Sequence, residues 1–255
     1  MRDGSRTIAA IMQPTYLPWI GYFDLIDSVD RFVFLDDAQV LKRSWGVRNL
    51  IPGRDGELFL TVPLSGHRHG QGSAFVDTLV DADQPWARTH LATIRHAYAK
   101  APHFEEVFAS LEAWLSAGHA TIGALNEAFI RATAQRIGIA TAFLKASQLE
   151  GTDGRKDDRL LSICRAIGAD AYLAAPGSAA YIEQEREGGA FAGSGIDILY
   201  HHYDHPGYPQ RQDAFVSHMS IVDLLMNCGY ASALEIIRSG RRPMLTSAGM
   251  REKAA

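Results

Sequence analysis

The segment DDAQVLKRSWGVRN carries the densest group of side chains that could do chemistry. Its cations, Lys42, Arg43 and Arg48, offer positive charge and N–H donors suited to a phosphate or a carboxylate. Trp45 could stack on a base or a sugar, and Asn49 could bond to a hydroxyl or an amide. A solvated surface loop is the alternative interpretation, but a tryptophan among cations favours a site for a phosphate-bearing ligand.

Candidate proton acceptors lie in two stretches. Asp36 and Asp37, which open the segment above, could act as a base or bind a divalent metal. In HHYDHPGYPQ, His205 is the best general base by residue type, and Tyr208 and Gln210 would face the same pocket. Neighbouring histidines on a strand point to opposite faces, so we do not expect them to share a metal ion. A turn held by its two prolines explains this stretch about as well.

The elements that must position these residues begin with TIAAIMQP (7–14), an apolar run closed by proline that predicts a buried strand. YFDLIDSVD (22–30) has helical spacing, and RFVFLDDAQ (31–39) predicts a second buried strand that ends in two carboxylates. A strand, a helix and a second strand predict a βαβ unit with parallel strands. The loop after the first strand and the segment after the second would then meet at one edge of the sheet, where such folds bind phosphates and nucleotides.

The remaining pattern predicts a single domain. ELFLTVPL (57–64) is a third strand, helical periodicity dominates from 84 to 140, and strands alternate with helices beyond it. We therefore predict an α/β fold with a Rossmann-like parallel sheet over residues 1–240 and a helical insertion at about 84–140. Residues 241–255 are expected to form a disordered tail.

Composition limits the classes of function. The chain has 255 residues, 47% hydrophobic residues and a net charge of −4. No apolar run reaches the roughly 18 residues of a membrane span, and the first residues lack a secretory core. With two cysteines and mild acidity, we expect a cytoplasmic protein that binds a small molecule, with no membrane partner and no broad nucleic-acid binding. Oligomeric state is left open, and no metal ligand set or cofactor is evident.

The opening loop resembles, weakly, that of nucleotidyltransferases with the HxGH motif. The aligned residues are Trp19, Ile20, Gly21 and Tyr22, so the glycine is kept and both histidines are replaced. The start of SIVDLLMNCG resembles the serine-led helix that supplies a second phosphate contact in those enzymes. Helix capping alone, with Ser220 as N-cap and Asp223 completing a capping box, is an equal alternative.

A more specific resemblance covers about residues 7–237. The chain resembles the WbqC-like family, and the matching stretches are QPTYLPWIGYFDLI, DDAQVLKRSWGVRNLI, LTVPL, YAKAPHF, YLAAPGSAAYI, DHPGYPQ and SIVDLLMNCG. The resemblance implies a biosynthetic enzyme of bacterial O-antigen, other surface-polysaccharide or specialised-metabolite pathways. This chain has Val47 where the family pattern would place an asparagine beside Arg48, and Ala174-Ala175 where it would place Ser-Gly.

Together these patterns predict a group transferase acting on an activated sugar or a small-molecule amine intermediate. The alternatives are a nucleotidyltransferase that uses a nucleoside triphosphate and magnesium, and a non-catalytic ligand-binding or scaffold protein. His205 or Asp37 would remove a proton. The residues predicted to bind the substrate are Gln13, Tyr16, Trp19, Gly21, Tyr22, Asp36, Lys42, Arg43, Trp45, Arg48, Asn49, Tyr181, Tyr208, Gln210, Ser220 and Asp223.

Overall fold

The computed structural model of the chain describes residues 6–53, 56–65, 72–211 and 214–254. It opens with the strand β1 (Ile8–Met12), the helix α1 (Ile20–Asp27) and the strand β2 (Arg31–Phe34). The two strands pair in parallel, with Ala10 opposite Phe32 and Met12 opposite Phe34. This confirms the predicted βαβ unit.

The main sheet is Rossmann-like. Its other strands are β5 (Ala142–Lys145), β6 (Ala171–Ala174), β7 (Asp197–Tyr200) and β8 (Leu245–Thr246). The spatial order is β5-β2-β1-β6-β7-β8, and every pair is parallel except β7–β8. Counted along the chain, the parallel strands follow the doubly wound order 3-2-1-4-5. The predicted α/β fold with a parallel sheet is therefore confirmed.

A separate hairpin lies outside this sheet. It consists of β3 (Arg48–Gly53) and the antiparallel β4 (Gly56–Thr61). The sequence predicts the strand at 57–64 but gives no sign of its partner, because β3 contains Pro52 and begins within the polar segment. The segment that starts at Asp36 returns to the opening loop just before the hairpin begins. There, the Tyr16 N–H donates to the Trp45 carbonyl at 2.9 Å.

Three consecutive helices, which we call the insertion, lie between β4 and β5. They are α2 (Trp86–Tyr98), α3 (Phe104–Ser116) and α4 (Ile122–Arg136). Their apolar faces join one large core, and the Thr121 hydroxyl caps α4 by accepting the Ala124 N–H. Among the described helices of the chain, none combines the length and apolar character needed to cross a membrane.

Helices cover both faces of the sheet. The remaining ones are α5 (Lys156–Ala166), α6 (Ala179–Ile182), α7 (Ile221–Ser239) and α8 (Ser247–Ala254). Alternate strand residues divide between two cores, so that Ala10 and Phe32 face α1, α7 and the insertion, whereas Ala9 and Val33 face α5 and α6. At Gly229, α7 kinks, with φ 75° and ψ 172°, and then continues.

The segment after Arg241 differs from the expected disordered tail. It contains β8, which pairs with β7, and the helix α8. The Arg241 guanidinium binds Asp24 and Asp27 on α1, at 2.8 Å and 2.5 Å. These partners lie more than 200 residues away in the sequence, so a local composition pattern could not reveal them.

Candidate functional site

A cavity of about 310 Å³ lies at the C-terminal end of β1. Parallel α/β sheets bind their ligands at this edge, and the volume suits a small molecule. Three parts of the chain form its wall: the opening loop with α1, the hairpin with the turn before it, and the loop before α7. The lining residues are Met12, Thr15, Trp19, Tyr22, Trp45, Asn49, Leu50, Glu57, Ser217, His218 and Met219.

Trp19 and Gly21 fit together at the start of α1. The Trp19 ring lies so close over Gly21 that a Cβ at position 21 would come within 2.2 Å of a ring carbon. Tyr22 follows on the cavity wall, and its hydroxyl donates to the Gln13 carbonyl at 3.0 Å. Gly21 therefore has a steric role, because the lack of a side chain makes room for the indole.

Two imidazoles lie against Trp19. The His205 ring stacks on the indole with centroids 5.9 Å apart, and the His218 ring lies 5.1 Å from it. The two histidine rings are 4.9 Å apart. These imidazoles come from another part of the chain and lie beside the start of α1. His218 was missed by sequence reasoning, since a lone histidine in an irregular loop matches no motif.

His205 has the properties of a neutral base. Its Nδ1 lies 2.9 Å from the Pro206 carbonyl, which can only accept, so Nδ1 carries the proton and Nε2 has the free lone pair. Nε2 is buried and has no hydrogen-bond partner among the described residues. Burial lowers the pKa of His205, the hydrogen bond to the Pro206 carbonyl opposes this effect, and the neighbouring His218 lowers the pKa further. His205 is therefore neutral at pH 7.

A buried carboxylate, Asp223, fixes the loop that carries both histidines. It accepts hydrogen bonds from the hydroxyls of Tyr98 and Tyr208, both at 2.9 Å, and from the Gln210 amide at 2.6 Å. Gln210 in turn bonds to both the N–H and the carbonyl of Val216. Burial raises the pKa of Asp223, and these hydrogen bonds oppose that effect. Tyr208, Gln210 and Asp223 thus position the loop rather than line the cavity.

Ser220 caps α7, as expected, by accepting the Val222 N–H at 3.2 Å. The predicted capping box is wrong, because the Ser220 N–H donates to the Leu50 carbonyl instead of to Asp223. The backbones of Trp19 and Ser220 pair in a β-bridge. The opening loop and the start of this helix therefore meet, as the sequence predicts, although the Ser220 side chain is buried.

Tyr16 and Asn49 support the loop from inside. Tyr16 is fully buried and its hydroxyl lies 2.8 Å from His90 Nδ1, so the expectation that it forms the cavity wall is corrected. The Asn49 amide donates to the carbonyls of Tyr16 and Leu17, at 3.0 Å and 2.8 Å. Asn49 borders the cavity, but its polar atoms hold the opening loop in place.

The cations of the polar segment lie outside the described cavity lining. Lys42 and Arg43 are exposed, and the Arg48 guanidinium lies over the Phe59 ring at 4.2 Å. The Phe59 ring is 6.3 Å from Trp45, which does line the cavity. A phosphate or carboxylate role for these cations stays a prediction.

Asp36 and Asp37 are engaged in ways the sequence does not show. Asp36 is fully buried and accepts the N–H and the hydroxyl of Ser147, at 2.9 Å and 2.6 Å. Asp37 forms an ion pair with Arg159 on α5. Neither carboxylate is among the residues that line the cavity, and Asp37 Oδ1 has no hydrogen-bond partner among the described residues. A role for either as a base or a magnesium ligand stays a prediction. Within the described residues, no three His, Cys, Asp or Glu side chains form a metal-binding group.

A second charged cluster at this edge was also missed. The Lys145 ammonium, at the end of β5, lies 3.4 Å from Asp36 and 3.3 Å from Glu127 on α4. Burial raises the pKa of Glu127, an effect that Lys145 opposes. The Glu127 charge also acts on Tyr22, whose pKa burial raises well above its usual value. The sequence of α4 shows helical periodicity, but it does not show that the Glu127 side chain points inwards.

Tyr181 lies apart from these groups. It sits on α6 and packs against the core on the other face of the sheet, so the structure does not bring it together with the cavity. Tyr181 is predicted to bind the substrate because it lies in a turn that follows a strand of the sheet. The direction of its side chain could not be predicted from that position.

Comparison with known proteins identifies the relatives of this fold and site. The model of the WbqC-like protein family matches residues 13–235, which include every described lining residue of the cavity except Met12. The chain is 33% identical to the uncharacterized protein Rv1507c of Mycobacterium tuberculosis over 237 residues, which are 91% of this chain and 98% of that protein. No solved structure matches it significantly. The chain belongs to the WbqC-like protein family.

Proposed function

We propose that this chain is a group transferase that binds an activated sugar or a small-molecule amine intermediate in the cavity beside Trp19. The observation that carries the proposal is the contact of His205 and His218 with one wall of an aromatic cavity at the ligand-binding edge of a Rossmann-like sheet. Aromatic walls with a few polar groups suit a sugar ring or another compact organic substrate. This substrate would be an intermediate of O-antigen, other surface-polysaccharide or specialised-metabolite synthesis.

The proposed chemistry needs a base and a means to hold the donor. An amine or hydroxyl of the acceptor forms the new bond to the transferred group, the donor's leaving group keeps the electrons of the broken bond, and the acceptor's proton passes to the imidazole pair. His218 lines the cavity, and the lowered pKa keeps His205 neutral and able to accept a proton. Lys42, Arg43 and Arg48 would bind a phosphate or carboxylate on the donor.

The test starts from a thermal-shift screen of nucleotide sugars, nucleotides, aminoacyl donors and acyl donors. A ligand raises the unfolding temperature by mass action. With the donor found and acceptors tested against it, we expect His205→Gln and His218→Gln each to keep donor binding but to lower kcat at least about 100-fold, the usual range for a lost acid–base group. His96→Gln, at an exposed position on α2, is the control and should change neither. Unchanged kcat in both site variants would contradict the proposal.

A nucleotidyltransferase is the second candidate, because the two imidazoles lie beside the first turn of α1, where HxGH enzymes place theirs. It predicts release of pyrophosphate from ATP or CTP in the presence of magnesium and a sugar phosphate or an acid. The group transferase predicts product without pyrophosphate release. A non-catalytic protein predicts that folded His205→Gln and His218→Gln variants leave pathway output in cells unchanged.

A further inference from the structure

Exposed apolar side chains gather around the cavity. Six large hydrophobic residues are exposed in the described part of the chain, and all except Leu79 belong to two segments of the cavity wall: the hairpin with the turn before it, and the loop before α7. A scattered surface leucine needs no explanation, but a local group of this kind marks an interaction site. Four of them form what we call the apolar rim: Leu41 (59% exposed), Trp45 (55%), Phe59 (44%) and Phe215 (43%).

Ring contacts connect members of the rim to the cavity. Trp45 is a lining residue and its ring lies 6.3 Å from that of Phe59. Phe215, on the other side, lies 5.6 Å from the His205 ring and 5.2 Å from the Tyr208 ring. The rim therefore borders the entrance to the proposed substrate site.

The charge beside the rim is positive. Lys42 and Arg43 are exposed in the same turn as Leu41, and no ion-pair partner for either lies within the described residues. Arg48 adds a third cation over Phe59. From residue 38 to residue 53 the sequence has no carboxylate, although the whole chain has a net charge of −4. Glu57 is an acidic residue of the described cavity lining.

We propose that the apolar rim docks the cavity entrance onto an anionic lipid surface. Tryptophan and phenylalanine side chains flanked by Lys and Arg are the combination that binds the headgroup region of such a surface. A second copy of this chain fits less well, because a two-fold contact through the rim would bring Lys42 and Arg43 of both copies together. The expectation of no membrane partner rested on the lack of a spanning run, which does not bear on a surface patch. The proposal does not depend on which reaction the cavity catalyses.

Vesicle co-sedimentation tests this directly. The purified full chain is mixed with phosphatidylcholine vesicles, with or without about one third phosphatidylglycerol, at low and at high salt. We expect binding only to the anionic vesicles, weakened by salt. Lys42→Gln/Arg43→Gln should lower the partition constant about 25-fold, about fivefold for each of the two cations. Trp45→Ser/Phe59→Ser should lower it at least tenfold, and Leu79→Ser, an equally exposed leucine away from the rim, is the matched control.

The results distinguish a lipid surface from a second copy of this chain as the partner of the apolar rim. Circular dichroism and urea unfolding first establish that each variant is folded. No binding of the wild-type chain to anionic vesicles at low salt would overturn the proposal, as would an equal loss in Leu79→Ser. A dimer in sedimentation velocity that Trp45→Ser/Phe59→Ser abolishes, without vesicle binding, would instead assign the rim to self-association. Ligand binding in the thermal-shift screen is scored separately, so failure here leaves the proposed function standing.

Discussion

At the residue scale, the position of Trp19 depends on the missing side chain of Gly21. Gly21→Ala would place a methyl group within 2.2 Å of the indole, so the ring must move away from the two imidazoles. We expect a loss of about 1–3 kcal/mol in the free energy of unfolding, the usual cost of overpacking. Urea unfolding followed by tryptophan fluorescence measures it.

The control for this substitution is Gly177→Ala. A Cβ at position 177 meets no atom within 4 Å, and the backbone there is not in the left-handed region. We expect its free energy of unfolding to stay within about 0.5 kcal/mol of the wild type. If Gly21→Ala behaved like Gly177→Ala, the packing of the indole against α1 would be looser than described.

At the element scale, the loop with His205 and His218 is held by Asp223 of α7. In Asp223→Asn, one of two acceptor oxygens is replaced by an amide that faces the Tyr208 and Gln210 donors. We expect a loss of about 1–3 kcal/mol, because buried donors lose their acceptor. Hydrogen exchange of the Val216 amide, which Gln210 holds, should speed up.

Asp204→Asn is the matched control for the loop. Asp204 is exposed and pairs with Arg242 on the surface, where an ion pair contributes about 0–1 kcal/mol. We expect its free energy of unfolding to change little and the Val216 amide to exchange as in the wild type. Equal effects of the two substitutions would argue that Asp223 does not anchor the loop.

At the scale of the whole molecule, His90 links the insertion to the opening loop and makes stability depend on pH. Burial lowers the pKa of His90 from 6.5 to about 4. Between pH 6.5 and about pH 4, the imidazole of His90 is therefore protonated in the unfolded chain and neutral in the folded chain. The free energy of unfolding should fall as the pH drops from about 6.5 to 4, by at most about 3 kcal/mol, and this contribution should level off below 4.

His90→Gln tests this pH dependence. A glutamine keeps an acceptor for the Tyr16 hydroxyl but cannot be protonated in this range. Urea unfolding at several pH values from 7 to 4 should show a shallower decline than in the wild type. His96→Gln, an exposed histidine on the same helix, should keep the wild-type slope. A slope unchanged by His90→Gln would mean that His90 takes up its proton without unfolding.

The sequence predicts those features of the structure that depend on residues close together in the chain. Apolar spacing predicts β1, α1, β2 and the three insertion helices, and parallel strands predict the edge at which the opening loop lies. The bonds that decide the site are between distant residues, such as those from Asp36 to Ser147 and from Asp223 to Tyr98. Those contacts turn Asp36 away from the cavity and bring His218 into it. No pattern within a short window contains that information.

The packing around Trp19 also makes the state of the site measurable by tryptophan fluorescence. One cavity tryptophan lies against two imidazoles, whose protonation quenches indole emission, and the other, Trp45, is half in water. Charge on the histidine pair would therefore change the brightness of Trp19, whereas entry of a ligand would shift the colour of Trp45. With Trp86 and Trp114 replaced by phenylalanine, protonation and occupancy of the cavity could be followed as two separate fluorescence signals.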